Sequence, residues 1–141
     1  MNRVLGIDYG ERRIGLALSD PLKIIAKPFR IIDRNLTPDF ITELLLIINE
    51  NNVNRVVVGL PLNLKGRYSK QTEIVIKFID ELKKIQNIQV IQLDERMSSV
   101  AAEKSLIIQN IKLGYNKEKI DETAAAIILQ EYLDSTKTDC E

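Results

Sequence analysis

The chain has 141 residues, 45% of them hydrophobic and 28% charged, with a formal net charge of zero and no histidine. This length suits one domain with a real core rather than two full lobes, and the composition is that of a folded globular protein. The lack of histidine excludes every catalytic arrangement that depends on it. The charge balance excludes strong unspecific attraction to phosphates, so any nucleic-acid binding requires a local basic patch.

Membrane and secretion signals are absent from the pattern of the sequence. The longest apolar runs fall far short of the ~20 residues that a bilayer span needs, and no basic and then apolar leader opens the chain. We therefore expect a cytoplasmic protein that does not contact membranes. The one cysteine, Cys140, leaves no internal disulfide and no cysteine-based zinc site. We expect a single domain over residues 1–141, with the last few residues disordered.

The first part of the chain predicts a hairpin, a short strand and a helix. Two apolar-rich runs on either side of a glycine-containing turn, Arg3–Tyr9 and Arg13–Ser19, are typical of a β-hairpin. A shorter third strand is expected around Phe29–Asp33. The segment Thr37–Asp39 supplies an N-cap, a first-turn proline and a first-turn acid, which predicts a helix that ends near Asn51.

The second part predicts alternating strands and helices. The β-branched run Val56–Val58 indicates a buried central strand that feeds a polar, basic loop. Further elements follow from apolar spacing and capping residues: a helix from Ser69, a strand from Ile88 to Leu93, a helix from Ser98 or Ser99 to about Gln109, and a last helix from Lys117 to about Asp134. This order predicts an α/β protein with a mixed central sheet of about five strands flanked by helices.

Several acidic residues violate the local pattern, and such violations tend to occur at functional sites. Asp8 ends a strand that otherwise has the composition of one buried on both faces, and Gly6 and Gly10 leave room for another group to approach the backbone. Asp94 and Glu95 directly follow a strand, where α/β proteins usually place their chemistry. The alternatives are a turn aspartate at Asp8 and two exposed loop acids at Asp94 and Glu95.

A further acid lies on the apolar side of the last predicted helix. Asp121 shares one helical face with Ala124, Ala125, Ile128 and Tyr132, a side that solvated charges normally avoid. Its small neighbours favour a helix that packs closely against another element, with the carboxylate directed at a site. The alternative is a first-turn acid that the helix dipole stabilises.

Carboxylates without histidine or thiolate form an oxygen-only ligand set, which suits Mg²⁺ or Mn²⁺ and disfavours zinc or copper. Brought together, these carboxylates would repel one another unless a cation joined them. Such a site is suited to two bound metals, one activating water and one stabilising the leaving oxygen of an in-line phosphoryl displacement. Metal-bound water would then replace the missing histidine base.

Four ordered motifs span almost the whole chain: GIDYG at 6–10 with RIGLA at 13–17, VGLPLN at 58–63, DERMSS at 94–99, and IDETAA at 120–125. In this order they resemble the YqgF (RuvX) family. The resemblance implies an RNase H-like fold related to Holliday-junction resolvases. It also implies a nuclease that matures the 5′ end of pre-16S rRNA in ribosome biogenesis.

The resemblance also assigns the acidic residues. It places Asp8, Glu95 and Asp121 at the family's acidic positions, as catalytic residues and ligands of Mg²⁺ or Mn²⁺. Asp94 remains an alternative to Glu95, because adjacent residues at a strand end point in opposite directions and only one can easily face a metal. The chain departs from the family in two places. Residues 97–99 are Met-Ser-Ser, where leucine and threonines are commoner. Lys65 and Arg67 occupy a stretch of loop that often has the sequence Asp-Gly-Thr. The loop difference puts the substrate contacts in doubt rather than the metal site.

Basic residues beside these motifs are candidate contacts to nucleic-acid phosphates. The set comprises Arg13, Arg96, Lys65 and Arg67, with Arg12 and Lys70 as further members. Any one of them could equally be a solvated surface charge, and Arg13 and Arg96 are the best candidates because they lie inside motifs. We expect RNA rather than DNA as the partner, and a monomer or weak homodimer.

Other functions remain open at this point. A Holliday-junction resolvase would act on DNA with the same acids. An actin-like ATPase would explain the GIDYG motif, but such enzymes enclose their nucleotide between two lobes. A non-catalytic RNA-binding or transcription-associated module would keep the fold without cleaving. A magnesium-dependent cleavage assay separates the nucleases from the binding module.

Overall fold

A computed structural model describes residues 2–61, 69–85, 88–94 and 117–139. The elements in these ranges are β1 (Arg3–Tyr9), β2 (Arg13–Ser19), β3 (Ala26–Asp33), α1 (Phe40–Glu50), β4 (Val53–Leu60), α2 (Lys70–Ile85), β5 (Gln89–Asp94) and α3 (Lys117–Asp139). The helix predicted to start at Ser98 or Ser99 lies outside these ranges. None of the described helices is both long and apolar enough to cross a membrane.

The five strands form one mixed sheet in the order β3-β2-β1-β4-β5. The pairs β1–β2 and β2–β3 are antiparallel, as expected for strands joined by short turns. The pairs β1–β4 and β4–β5 are parallel, and their connections cross over through α1 and α2. The predicted α/β class and five-stranded mixed sheet are therefore confirmed.

Apolar side chains on alternate strand positions bury both faces of the sheet. On one face, which we call the α1/α2 face, Ile7 and Val58 join a core with residues of the first two helices, such as Leu44 and Ile79. On the other, which we call the α3 face, residues such as Val57 pack against the third helix. The core to which a strand residue belongs therefore shows the face of the sheet to which its side chain points.

The helix α3 runs antiparallel to β1. Near its C-terminal half, the side chain of Gln130 accepts a hydrogen bond from the Ala26 amide at 2.9 Å and donates one to the Ile24 carbonyl at 3.0 Å. These partners lie at the edge of the sheet where β1 begins, because Ala26 pairs with Ser19 and the Ser19 hydroxyl accepts from the Val4 amide. The N-terminal part of α3 consequently lies toward the carboxyl ends of β1 and β4.

Besides one-residue shifts at the start of α2 and at both ends of β5, three boundaries differ from the sequence prediction. The strand β3 begins at Ala26 rather than near Phe29, and the Gln130 contact from α3 holds its first residue. The last helix continues to Asp139, past the predicted end near Asp134. The helix α1 begins at Phe40 with Asp39 as its N-cap, whereas the sequence favoured a cap at Thr37.

Candidate active site at the carboxyl ends of the parallel strands

Asp8 lies at the carboxyl end of the central strand β1, on the α3 face. Its neighbours Ile7 and Tyr9 belong to the core on the α1/α2 face, so alternation turns Asp8 to the opposite face. The residue is half-buried, and its partner across the antiparallel pair is Gly15, which has no side chain beside the carboxylate. The violation noted in the sequence thus corresponds to a half-buried charge on the face of the sheet that α3 covers.

Gly6, two residues before Asp8, is the point where α3 comes closest to the sheet. A Cβ atom at Gly6 would lie 2.7 Å from the Leu129 Cβ and 2.9 Å from the Ala125 carbonyl oxygen, which real Cβ atoms do not tolerate. The glycine therefore permits near backbone contact between β1 and the helix. Asp121 lies one helical turn before Ala125, in the direction of Asp8 along the sheet, and its side chain is outside the described part.

The predicted inward face of the last helix is confirmed where its side chains are described. Ala124, Ala125 and Ile128 are at most 1% exposed, and Tyr132 is 9% exposed. One turn of helix advances about 5.4 Å and two residues of strand about 6.6 Å, so α3 and β1 advance by similar amounts from the contact at Gly6. The backbone of α3 thereby brings position 121 to the same edge of the sheet as Asp8.

Asp94 lies on the other face of the sheet from Asp8. It pairs with Leu60, which belongs to the core on the α1/α2 face, while its neighbour Leu93 packs on the α3 face. A residue that continued the strand after Asp94 would again point to the α3 face. Glu95 itself lies outside the described residues.

Arg13 lies on the same face as Asp8, on the adjacent strand. Its neighbour Ile14 points into the core on the α1/α2 face, so alternation places Arg13 on the α3 side. Its Nε atom is buried and has no hydrogen-bond partner among the described residues. Buried polar atoms without a partner are uncommon. The Arg13 Nε, beside the candidate site, is therefore a candidate hydrogen-bond donor to a ligand.

The turn between β1 and β2 is held by Arg34, a residue that the sequence reasoning missed. The Arg34 Nη1 donates to the carbonyl oxygens of Gly10 at 3.0 Å and Glu11 at 2.7 Å, and the Arg34 amide donates to that of Arg12 at 2.7 Å. The guanidinium also lies over the Tyr9 ring, with its carbon 4.7 Å from the ring centroid. No signal in the sequence distinguished this arginine from an ordinary loop cation.

Two ionisable groups beside this turn have shifted pKa values. Burial raises the pKa of the Tyr9 hydroxyl above its ordinary value, although the Arg34 charge acts in the opposite direction. Burial alone would also raise the pKa of Asp33, but hydrogen bonds from the amides of Asn35 and Leu36, together with the Arg12 charge, lower it overall. The Asp33 carboxylate is therefore ionised near neutral pH and forms an ion pair with Arg12 at 3.4 Å.

Only some of the other basic residues predicted to contact nucleic-acid phosphates lie in the described ranges. Arg12 and Lys70 are both exposed, as expected for solvated charges near the edge of the site. The predicted contacts Lys65, Arg67 and Arg96 lie outside the described ranges. Within those ranges, three or more acidic, histidine or cysteine side chains do not form a group able to hold a metal ion. A complete metal site would thus require side chains beyond those described.

Relatives with assigned names cover nearly the whole chain. A protein of Roseiflexus sp. (strain RS-1) is 42% identical over 135 residues, covering 96% of each chain. A protein of Desulforamulus reducens is 43% identical over 133 residues, covering 94% of this chain and 97% of the relative. Both carry the name "Putative pre-16S rRNA nuclease". These names agree with the predicted enzyme class, a hydrolase of nucleic-acid phosphodiester bonds.

Solved structures of resolvases share the fold. Thermus thermophilus RuvC, solved in complex with a Holliday junction substrate, superposes with a TM-score of 0.58 at 15% identity, covering 97% of this chain and 96% of RuvC. The fowlpox virus resolvase, solved with Holliday junction DNA, gives a TM-score of 0.57 at 14% identity and covers 95% of this chain and 98% of the resolvase. At these identities the likeness concerns the fold, and it confirms the predicted RNase H-like architecture.

The sequence profile of one family matches residues 2–135, and its description is "RuvX: Holliday junction resolvase". The matched range includes all four motifs and every predicted site residue. Together with the relatives, this match confirms the resemblance seen in the motifs: the chain belongs to the RuvX family.

Proposed function

We propose that this chain is a divalent-metal-dependent nuclease that cleaves RNA, with the 5′ end of pre-16S rRNA as its substrate. The observation that carries the proposal is the position of Asp8 on the α3 face, at the carboxyl end of β1, the central strand, which pairs in parallel with β4. The near backbone contact at Gly6 brings the helix that bears Asp121 to that same edge.

We propose Asp8, Glu95 and Asp121 as the catalytic carboxylates. The alternation of β5 supports Glu95 rather than Asp94, because Asp94 lies on the face opposite Asp8 and the next residue of a continued strand would share the Asp8 face. Asp121 is supported by its place one turn before Ala125. Three carboxylates from β1, the end of β5 and α3 would then meet at one edge of the sheet.

The donor chemistry fits Mg²⁺ or Mn²⁺. Carboxylate oxygens are the ligands that these hard cations prefer, and the chain has no histidine to offer a softer metal. When bound, such a cation would supply an activated water and stabilise the leaving oxygen of a phosphodiester. The half-buried Asp8 would contribute the charge that holds it, and Gly15 opposite Asp8 leaves space on the sheet surface.

We propose that Arg13 contacts a phosphate of the substrate next to the acidic site. The residue shares the α3 face with Asp8, and its buried Nε lacks a partner among the described residues. A guanidinium can contact two phosphate oxygens at once, which orients the backbone as well as binding it. Lys65, Arg67 and Arg96 are proposed as further contacts on the basis of the sequence.

The names of the relatives support an rRNA precursor as substrate, and a cytoplasmic place of action follows from such a substrate. The description of the family favours a second candidate, cleavage of DNA junctions. A single domain over the chain, acting as a monomer or weak homodimer, remains our prediction.

The decisive experiment compares cleavage of a pre-16S rRNA fragment and of a four-way DNA junction by the purified protein in Mg²⁺, Mn²⁺ and excess EDTA. We expect cleavage of the RNA only with a metal ion. Loss of any one carboxylate, in Asp8→Asn, Glu95→Gln or Asp121→Asn, should lower the rate by at least ~100-fold, more than the loss of a supporting group near a metal. The matched control is Asp94→Asn, which should cleave like the wild type.

Each outcome decides between the alternatives. Full activity in EDTA would refute the metal-dependent mechanism. Cleavage of the junction but not the RNA would establish the resolvase instead. Inactivity of Asp94→Asn together with activity of Glu95→Gln would reverse the assignment at the end of β5. Tight binding of RNA without cleavage under any of these conditions would identify a binding module.

A further inference from the structure

The turn that connects β1 to β2 lies between the two polar residues of the candidate site. Asp8 precedes Gly10 by two residues, and Arg13 directly follows Arg12. The turn closes through a hydrogen bond from the Gly10 amide to the Arg13 carbonyl oxygen at 3.0 Å. Any change in the shape of this turn would therefore alter the distance and direction between Asp8 and Arg13.

One residue binds every carbonyl oxygen of this turn from Gly10 to Arg12. The Arg34 side chain binds the first two, and its main-chain amide binds the third. Because β3 ends at Asp33, the hydrogen bond from the Arg34 amide to the Arg12 carbonyl oxygen extends the pairing of β2 and β3 into the turn. The three peptide planes of the turn are thus oriented by contacts from outside the hairpin.

Two aromatic rings also hold the Arg34 side chain in place. Its guanidinium lies over the rings of Tyr9 and Phe40, with its carbon 4.7 and 5.4 Å from their centroids. Its Nε is buried without a hydrogen-bond partner among the described residues. The rings and the carbonyl oxygens of Gly10 and Glu11 together fix the place of the guanidinium, so the shape of the turn depends on Arg34.

We propose that Arg34 is a positioning residue for the candidate active site, which sets Asp8 and Arg13 relative to each other through the carbonyl oxygens of the turn and the ring of Tyr9. This inference rests on the proposed function and adds a residue that contacts neither the metal nor the substrate. The signal could not be found in the sequence, because Arg34 binds residues 23 and 24 positions earlier.

The test compares Arg34→Met, which keeps an unbranched apolar stem but removes the guanidinium and its donors, with Arg34→Lys, which restores a charged donor. The matched control is Arg30→Met. Arg30 also lies over an aromatic ring, that of Phe29, and forms an ion pair with Glu43 at 3.1 Å, but it does not contact the turn. The kcat and KM are measured with whichever of the two substrates the wild type cleaves. The Mn²⁺ affinity is measured separately, from the electron paramagnetic resonance signal of free Mn²⁺.

We expect Arg34→Met to fold, to lose roughly 10- to 100-fold in kcat as expected for a slightly displaced catalytic group, and to change KM much less. Its Mn²⁺ affinity should fall by about tenfold. Arg34→Lys should recover part of both losses, and Arg30→Met should match the wild type in both. A merely structural arginine would lower the melting temperature without moving kcat or Mn²⁺ affinity in the folded protein.

Wild-type kcat and Mn²⁺ affinity in folded Arg34→Met would overturn the proposal. If that variant does not fold, Arg34→Gln is measured in the same way, and failure of both to fold would overturn the proposal by making Arg34 a determinant of folding. A wild type that binds Mn²⁺ but cleaves neither substrate would refute the proposed function instead. The Mn²⁺ affinities of the variants would still decide the role of Arg34 in that case.

Discussion

Replacement of Gly6 by alanine tests whether the close approach of α3 to β1 is what forms the site. The backbone of Gly6 does not have the positive φ that would strain an alanine, so only the added Cβ matters. Without a clash, a Gly→Ala change at a compatible position stabilises a protein by about 0.4 to 1 kcal/mol. Here the new atom would lie 2.7 Å from the Leu129 Cβ and 2.9 Å from the Ala125 carbonyl oxygen, so the sign should reverse.

The clash can be relieved only by a shift of α3 and β1 away from each other, because one of the two contacts is backbone and the other is the first atom of a side chain. Overpacking of this kind costs about 1 to 3 kcal/mol. For a chain of this size we expect a fall in melting temperature of roughly 3 °C per kcal/mol, or about 3 to 9 °C. Movement of α3 would also displace Asp121 from Asp8, which should lower kcat by roughly 10- to 100-fold.

The assay combines thermal melting with single-turnover cleavage at a temperature where all variants are folded. The control is Leu82→Ala on α2, a residue 1% exposed in the core of the α1/α2 face. Its loss should cost about 2 to 5 kcal/mol through a cavity, yet leave α3 in place and kcat unchanged. A Gly6→Ala protein as stable and active as the wild type would refute the packing argument. A Gly6→Ala protein that melts early but cleaves normally would show that α3 does not carry a catalytic group.

Three further predictions concern single side chains. Arg13→Ala should weaken nucleic-acid binding and reduce the slope of log affinity against log salt by roughly one; an unchanged slope would show that Arg13 does not contact a phosphate. The pKa of Asp20 is held below its ordinary value of 3.8, chiefly by the hydrogen bond from the Ile25 amide. Ionised Asp20 therefore stabilises the folded protein at pH values above 3.8. The melting temperatures of wild type and Asp20→Asn should converge as the pH falls through the lowered pKa. A difference in melting temperature that does not depend on pH would contradict this. The Tyr132 hydroxyl accepts a hydrogen bond from Arg55 at 2.6 Å, so Tyr132→Phe should cost about 1 kcal/mol without affecting cleavage, and a loss of kcat would show that the far end of α3 influences the site.

Local sequence patterns were sufficient to predict the bounds of elements that neighbouring residues define. The bounds of β1 and β2 agree with prediction, because apolar runs and a glycine turn define a hairpin without reference to the rest of the chain. The start of β3 did not follow from its sequence, since Ala26 is held by Gln130, a residue 104 positions later. A contact at that separation leaves no periodic signal in the strand itself.

The same division applies to the candidate site. The sequence by itself determined that Asp8 is anomalous, because charged residues are rare in strands that are otherwise apolar, and its ordered motifs determined the family. Only the tertiary structure decided that Asp8 points toward α3 and that Asp94 does not, because each face of the sheet is defined by the helix that covers it. Only the tertiary structure identified Arg34, because its proposed role depends on three carbonyl oxygens that the folded chain brings to it and not on any residue beside it in the sequence.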